Sequence, residues 1–130
     1  MATASVWAAA TITLLTVTGC APTETGPRQP RRCFAARDVR NFTAVNSSTV
    51  NIRVGRDVYR VDVMGACPDI NWTNRMALVT TGNSLICVGS GLGTSIVTRG
   101  SSGRPQRCPV TSITALTPEQ IQALPGRHRP

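Results

Sequence analysis

The 130-residue chain contains no lysine, a single histidine, five aromatic side chains and six acidic residues against fourteen arginines. This length has room for one domain with a modest core, which excludes a large multidomain enzyme. The one histidine, His128, lies in a terminal segment of Gly, Arg and Pro, where a solvated residue is expected rather than a general base or a metal ligand. These scarcities leave few groups for catalysis, and we predict no catalytic residue.

Two patterns of ligand-binding proteins are also missing. Structural zinc sites usually draw ligands from closely spaced cysteine pairs such as CxxC, and no such pair occurs. The glycine-rich residues 89–94 lack the lysine of a phosphate-binding loop, and a β-branched run follows where such a loop requires a helix. We therefore interpret them as a hairpin connection, and we expect neither a metal nor a cofactor.

The amino-terminal segment has the features of an export signal. Residues 6–17, VWAAATITLLTV, form an apolar stretch shorter than the roughly 20 residues of a membrane-spanning helix, although no basic residue precedes it as in most signal peptides. The following Val17-Thr18-Gly19-Cys20 resembles the bacterial lipobox, which implies cleavage after Gly19 and lipid attachment to Cys20. We predict a lipoprotein signal peptide at residues 1–19 and anchorage to a membrane through Cys20.

The residue after the cysteine bears on the final location. Ala21 stands where an Asp would resemble the signal for retention in the inner membrane. For a Gram-negative source, the resemblance therefore predicts the cell envelope, at the periplasmic face of the outer membrane.

A stalk and a tail are expected to flank the folded domain. Residues 21–32 contain three Pro and no aliphatic residue larger than Ala, so residues 20–32 are predicted to be a lipidated Cys and a flexible stalk. Its arginines, Arg28, Arg31 and Arg32, are candidate contacts for anionic head groups, although solubility alone would also explain them. The domain is predicted at residues 33–124, followed by a disordered tail at 125–130.

The net charge of +8 raises the question of an anionic partner. Nucleic acid would fit the charge, but no recognition motif is present and an exported protein has little access to it. The remaining alternatives are an envelope polyanion such as lipopolysaccharide, or a coding bias towards arginine with no ligand. The sequence does not identify a protein partner.

The cysteines divide into one for lipid and four for bridges. With Cys20 lipidated, an even set remains, namely Cys33, Cys67, Cys87 and Cys108, as expected for disulfides in an exported protein. Three connectivities are open. We favour Cys67–Cys87, which would close a compact loop, with Cys33–Cys108, which would join the start of the domain to its end. Each bridge is expected to stabilise the domain by roughly 2–4 kcal/mol.

Alternation of apolar and polar residues predicts a mostly β domain. Residues 50–54 and 59–63 have the period of half-buried strands, and Gly55-Arg56-Asp57 between them suits a hairpin turn. Four further segments have strand character: 76–80, 85–88, 95–98 and 110–116. We expect the first two of these to form a second hairpin around residues 81–83. The predicted fold is a small antiparallel barrel or a curved sheet with two disulfides.

A short C-terminal helix is indicated by its first residues. Thr117 suits the N-cap, Pro118 the first helical position, and Gln120 the third position of a capping box. The helix is predicted from Pro118 to about Leu124, where a Pro-Gly pair ends it.

Among the carboxylates, Asp69 has the weakest structural explanation. It follows Cys67-Pro68, and Asp after Pro is ordinary in turns. If the protein were instead a small periplasmic enzyme or an enzyme inhibitor, Asp69 and the neighbouring Trp72 would be the place to look for its site.

Several segments together carry a family resemblance. They are Cys33-Phe34, residues 38–42 (DVRNF), residues 49–54, residues 67–72 (CPDINW), Cys87, residues 107–110 (RCPV) and residues 116–119 (LTPE). Through them the chain resembles, over residues 33–124, a family of small proteobacterial secreted proteins or lipoproteins described only as a domain of unknown function. The resemblance implies export and disulfides and carries no catalytic residue. We therefore expect a non-enzymatic binding or structural module of the cell envelope.

Overall fold

A computed structural model describes residues 29–82 and 84–130. The predicted signal peptide, Cys20 and Arg28 lie outside the described residues, as does Asn83 in the predicted turn at 81–83. No helix within the described ranges is long and apolar enough to cross a membrane.

The described chain is mostly β, as predicted. Its strands are β1 (Cys33–Ala35), β2 (Val39–Asn46), β3 (Thr49–Val54), β4 (Asp57–Val63), β5 (Met76–Thr80), β6 (Leu85–Cys87), β7 (Thr94–Arg99) and β8 (Pro105–Ala115). Within the described residues, one α-helix, α1 (Pro118–Ala123), follows the strands, and three short 3-10 helices lie at Ala36–Asp38, Pro68–Asn71 and Gly126–His128.

Six of these strands form one antiparallel sheet in the order β2-β3-β4-β8-β7-β5. The sheet curls into a half-barrel, which confirms the predicted curved sheet. Strands β2 and β5 are its two edges. The remaining strands, β1 and β6, pair with each other in a separate two-stranded sheet.

The first hairpin is confirmed. Strands β3 and β4 pair from Val54↔Asp57 to Thr49↔Asp62, so Gly55 and Arg56 form the turn between them. Gly55 has a φ of 61°, a left-handed conformation that glycine adopts without steric strain.

The second hairpin is wrong in its pairing, although both of its strands exist. Strand β5 pairs with β7, and β6 pairs with β1. The reason is tertiary: Ile86 of β6 is buried in the core opposite Phe34 of β1. Strands β1 and β6 are about 50 residues apart, so the local sequence of β6 does not indicate that β1 is its partner.

The disulfides confirm the expected framework but not the favoured pairing. The bridges are Cys33–Cys87 and Cys67–Cys108. Cys33 lies directly opposite Cys87 in the β1–β6 ladder, so these two cysteines form the bridge. Cys108 lies in the large sheet, where it bonds to Cys67 instead of Cys33. The second bridge, whose cysteines are 0% and 5% exposed, ties the 3-10 helix at Pro68–Asn71 to β8.

The core fills the concave side of the half-barrel. Its largest fully buried side chain is Tyr59, whose ring lies 4.6 Å from that of Phe34 between ring centroids. Around this pair are packed aliphatic residues from β3, β4, β6, β7 and β8. A smaller cluster of Val58, Leu116 and Leu124 joins α1 to the sheet.

The helix α1 forms as predicted. The Thr117 hydroxyl accepts a hydrogen bond from the main-chain N–H of Gln120, and the Gln120 side chain accepts one from the main-chain N–H of Thr117. This reciprocal capping box starts the helix at Pro118.

The predicted disordered tail is instead an ordered segment, which we call the C-terminal strap (residues 125–130). It crosses the outer face of β2 and β3, where its main-chain oxygens accept hydrogen bonds from Thr43, Asn51 and Arg53. Because the strap covers this face, Asn51 is 0% exposed, although its alternation with Val50 and Ile52 suggested a solvated position. The composition of the strap predicted disorder, because it contains no large apolar side chain to bury. The strap is held instead by hydrogen bonds from its main-chain oxygens.

The end of the predicted stalk is also held by the domain. Arg31 pairs with Asp57, with 3.4 Å between Nε and Oδ2, and the Tyr59 hydroxyl donates to the main-chain oxygen of Arg31 at 2.6 Å. The N–H of Val88 donates to the main-chain oxygen of Arg32. Arg31 and Arg32, which were assigned to the stalk, therefore contact the folded domain.

Candidate functional site

The two edges of the half-barrel leave a gap at the start of β2 and of β5. A cavity of about 620 Å³ occupies this gap. It is lined by Ala36, Arg37, Val39, Arg40, Asn41 and Phe42 on one side and by Asn74, Arg75, Met76, Ala77 and Leu78 on the other. The sheet topology thus creates an opening with an apolar floor and a basic rim.

Three arginines form that rim. Arg37 lies in the 3-10 helix before β2, Arg40 lies at a break in the β2–β3 register, and Arg75 precedes β5. All three are exposed. Within residues 29–82 and 84–130, none of their side chains has a hydrogen-bond or ion-pair partner, whereas Arg31 is paired with Asp57. Their charge is therefore available to a ligand.

The basic surface extends beyond this gap. Arg75 also lines a cavity of about 260 Å³ beside Thr98 and Pro105, and a third cavity of about 360 Å³ together with Trp72 and Arg99. The shared lining makes the three cavities neighbours. We call the surface formed by Arg37, Arg40, Arg75 and Arg99 the cationic face.

The nearest acidic group in sequence does not neutralise this face. Asp38 follows Arg37, but it is absent from the cavity lining and forms no ion pair among the described residues. Two other carboxylates, those of Asp57 and Asp62, have partners within the fold. Asp57 holds Arg31, and Asp62 accepts hydrogen bonds of 2.8 Å from the hydroxyls of Thr49 and Ser112 on the neighbouring strands.

Asp69 and Trp72 lie next to the cationic face. Asp69 lies in the Pro68–Asn71 helix and Trp72 directly follows it. The buried Ile70 and the Cys67–Cys108 bridge fix this helix to the core. A cavity of about 160 Å³ is lined by Asp69, Trp72, Thr73, Arg99 and Ser101. It contains one carboxylate and no histidine.

The basic residues singled out from the sequence are not brought together. Arg28 lies outside the described residues, Arg31 is held by Asp57, and Arg32 is exposed near the β1–β6 sheet. The cationic face consists of other arginines, which sequence reasoning missed. In the sequence, Arg37 and Arg75 lie just before the first residues of β2 and β5. This position predicts a shared basic surface only when β2 and β5 are known to be the edges of the sheet.

No metal centre is indicated in the described part of the chain. No group of three or more His, Cys, Asp or Glu side chains within it could hold a metal ion.

Comparison with known proteins identifies a family. A family model described as "Family of unknown function (DUF6491)" matches residues 1–129. This match extends beyond the residues 33–124 over which the resemblance was noted. No curated protein and no solved structure matches the chain.

Proposed function

The chain belongs to DUF6491, a family of unknown function, and from its own geometry we propose a non-enzymatic binding module of the bacterial cell envelope whose ligand is an anionic polymer. The cationic face is the binding surface in this proposal. Cys20 carries a lipid that anchors the protein at the periplasmic face of the outer membrane.

The observation that carries the proposal is the set of unpartnered arginines at the open edges of the sheet. Exposed arginines elsewhere on a protein are commonly solvated, but here Arg37, Arg40 and Arg75 line the rim of one cavity. Guanidinium groups bind carboxylate and phosphate with paired hydrogen bonds. Several on one surface favour a ligand with repeated negative charges over a single small anion.

The envelope location is supported by two independent features. The disulfides Cys33–Cys87 and Cys67–Cys108 are of the kind that persists in oxidising compartments. The lipobox-like Val17-Thr18-Gly19-Cys20 follows an apolar stretch of the length found in signal peptides. Acidic polysaccharides and phosphorylated glycolipids are the polyanions that such a protein would meet.

A binding role fits the arrangement of Asp69 better than an enzymatic one. Most glycoside hydrolases use two carboxyl groups, placed on either side of the scissile bond. The Asp69 cavity offers one carboxylate, and its lining holds one arginine and an indole rather than a second acid. These groups orient a ligand, which is the task of a binding site.

Salt-dependent binding tests this function. Inorganic polyphosphate and lipopolysaccharide are titrated into the full chain and into a variant with Arg37→Gln, Arg40→Gln, Arg75→Gln and Arg99→Gln. A matched control has four other exposed arginines replaced: Arg56→Gln, Arg104→Gln, Arg107→Gln and Arg127→Gln. Both variants lose the same formal charge, so only the position of that charge differs.

The expected result is a loss of about tenfold or more in affinity, with a shallower dependence of log Kd on log salt concentration, in the cationic-face variant alone. Equal losses in both variants would show that net charge suffices and would refute the assigned surface. The absence of binding by the unmodified chain at low salt would refute the function itself.

A further inference from the structure

Trp72 is the most exposed aromatic side chain of the described residues, with 87% of its surface accessible, while Phe34 and Tyr59 are 2% and 0% exposed. The ring nevertheless stands on a braced loop. The main-chain oxygen of Asp69 accepts hydrogen bonds from the N–H groups of Trp72 and Thr73, and the Thr73 hydroxyl donates to the main-chain oxygen of Arg75 at 2.6 Å. The fold therefore holds Trp72 outward without using its apolar surface.

Trp72 lines two cavities of different chemistry. The cavity of about 360 Å³ also has Asn74, Arg75 and Arg99, which can donate hydrogen bonds to an anion. The cavity of about 160 Å³ also has Asp69 and Ser101, which can accept hydrogen bonds from hydroxyl groups. Arg99 lines both cavities.

A glycine maintains the position of the carboxylate. A Cβ on Gly100 would lie 3.0 Å from Oδ2 of Asp69 and 3.0 Å from the main-chain oxygen of Arg104. The side chain of Asp69 thus rests against the bare backbone of Gly100, in the turn between β7 and β8. Gly100 itself is buried.

These three kinds of group match the parts of one ligand. An acidic sugar has an apolar C–H face that packs on an indole, hydroxyl groups that donate to a carboxylate, and an anionic substituent that accepts from guanidinium groups. A polyphosphate has no ring for Trp72, and the charge of Asp69 would repel it. Single-stranded nucleic acid would stack on Trp72, but proteins that bind it present several aromatic platforms in succession. Among the described residues this surface presents one exposed ring, Trp72, because Phe42 is half-buried.

We infer that Trp72, Asp69, Arg75 and Arg99 form a subsite for one anionic sugar residue of an acidic polysaccharide. This inference rests on the proposed function and narrows its ligand from polyanions in general to acidic saccharides. Trp72 supplies selectivity for the ring, and the two arginines supply most of the affinity.

Tryptophan fluorescence provides the test. The full chain is prepared with Trp7→Phe, so that Trp72 is the single tryptophan, and is titrated with an alginate hexasaccharide. Maltohexaose, inorganic polyphosphate and hexathymidylate are titrated in parallel. The alginate hexasaccharide is expected to change the Trp72 emission with saturation and to bind more tightly than the neutral sugar and the nucleotide.

Variants distinguish the subsite from the wider surface. Trp72→Ala is expected to lower the affinity for the alginate hexasaccharide by about tenfold, measured by calorimetry, and to leave the affinity for polyphosphate unchanged within about twofold. Trp72→Phe is expected to retain most of the affinity for the alginate hexasaccharide. Arg99→Gln is expected to weaken the binding of both the alginate hexasaccharide and polyphosphate. Because Trp72 is 87% exposed, Trp72→Ala is expected to unfold at the same urea concentration as the parent.

The two levels of the proposal fail separately. If polyphosphate and alginate bind but Trp72→Ala has no effect on alginate, or if hexathymidylate binds more tightly than alginate, the sugar subsite is refuted and the cationic face stands. If neither anion binds the parent, the proposed function is refuted and the subsite with it.

Discussion

Asn51, in the middle of β3, donates a hydrogen bond of 2.9 Å from its side-chain amide to the main-chain oxygen of His128, 77 residues further along the chain. The contact fixes the C-terminal strap to the outer face of the sheet. Arg53 and Thr43 donate to the strap on either side of it. A sheet that would otherwise be solvated on its convex side is therefore covered over β3.

Removal of the strap should destabilise the domain. In a chain ending at Leu124, Asn51 becomes exposed to water, and the hydrogen bonds from Thr43, Asn51 and Arg53 to the strap are lost. Because each such bond contributes about 1 kcal/mol net, we expect the free energy of unfolding to fall by about 1–3 kcal/mol. Urea denaturation followed by circular dichroism measures it. Arg127→Ala, an exposed position within the same segment, is the control and should leave the midpoint unchanged. A truncated chain as stable as the full one would show that the strap contributes nothing to the fold.

The two disulfides should differ in accessibility and in their contribution to stability. Cys33 and Cys87 are exposed, and Cys67 and Cys108 are buried. The chain-entropy terms for sequence separations of 54 and 41 differ by only about 0.2 kcal/mol. Any larger difference in the free energy of unfolding must come from the packing of the sulfur atoms. Because Cys67 and Cys108 are buried, the pair Cys67→Ala/Cys108→Ala should destabilise the domain more than Cys33→Ala/Cys87→Ala.

Partial reduction provides the measurement for accessibility. With limiting dithiothreitol and alkylation before peptide mapping, the label should appear first on Cys33 and Cys87, because a thiolate must reach the sulfur it attacks. Initial labelling of Cys67 and Cys108 would contradict the burial of that bridge.

Two glycines allow steric and conformational effects to be separated. Gly91 and Gly103 have φ values of 62° and 76°. A Cβ at Gly91 would collide with the side chain of Val110, whereas a Cβ at Gly103 would meet nothing within 4 Å. Gly103→Ala should cost about 1 kcal/mol for the backbone alone, and Gly91→Ala a further 1–3 kcal/mol or so for overpacking. Equal shifts in the denaturation midpoint would refute this assignment.

The proposed lipid attachment would depend on a single atom, the sulfur of Cys20. In a bacterial host grown with a radiolabelled fatty acid, the native chain should be labelled and recovered with membranes, and Cys20→Ala should be neither. Cys33→Ala serves as the control, because it removes a cysteine but not the lipobox. Labelling that persists in Cys20→Ala would refute the anchor.

The sequence was informative where the determining contacts are local. The β3–β4 hairpin follows from alternation on either side of Gly55, and α1 follows from the Thr117–Gln120 capping box. Strand β2 was missed because two breaks in its register, around Arg40 and Val45, disturb the alternation that marks a half-buried strand.

Pairings between strands that are distant in the sequence could not be predicted from local patterns. Neither Leu85–Cys87 nor Met76–Thr80 carries information on its partner, and both pair with strands outside the predicted hairpin. The cationic face was missed for a related reason. Arg37 and Arg75 are 38 positions apart in the numbering, and only the curl of the sheet brings their edges to one cavity.

The disulfide connectivity has a consequence for biosynthesis. Along the chain the order is Cys33, Cys67, Cys87, Cys108, and each bridge skips one cysteine. As the polypeptide emerges from its amino terminus, Cys33 and Cys67 are available to each other before either native partner exists. Oxidation during emergence would join these two incorrectly, and repair would require disulfide exchange, which is slow without an isomerase. The yield of native protein should therefore depend on the isomerase capacity of the host more than on its oxidising capacity.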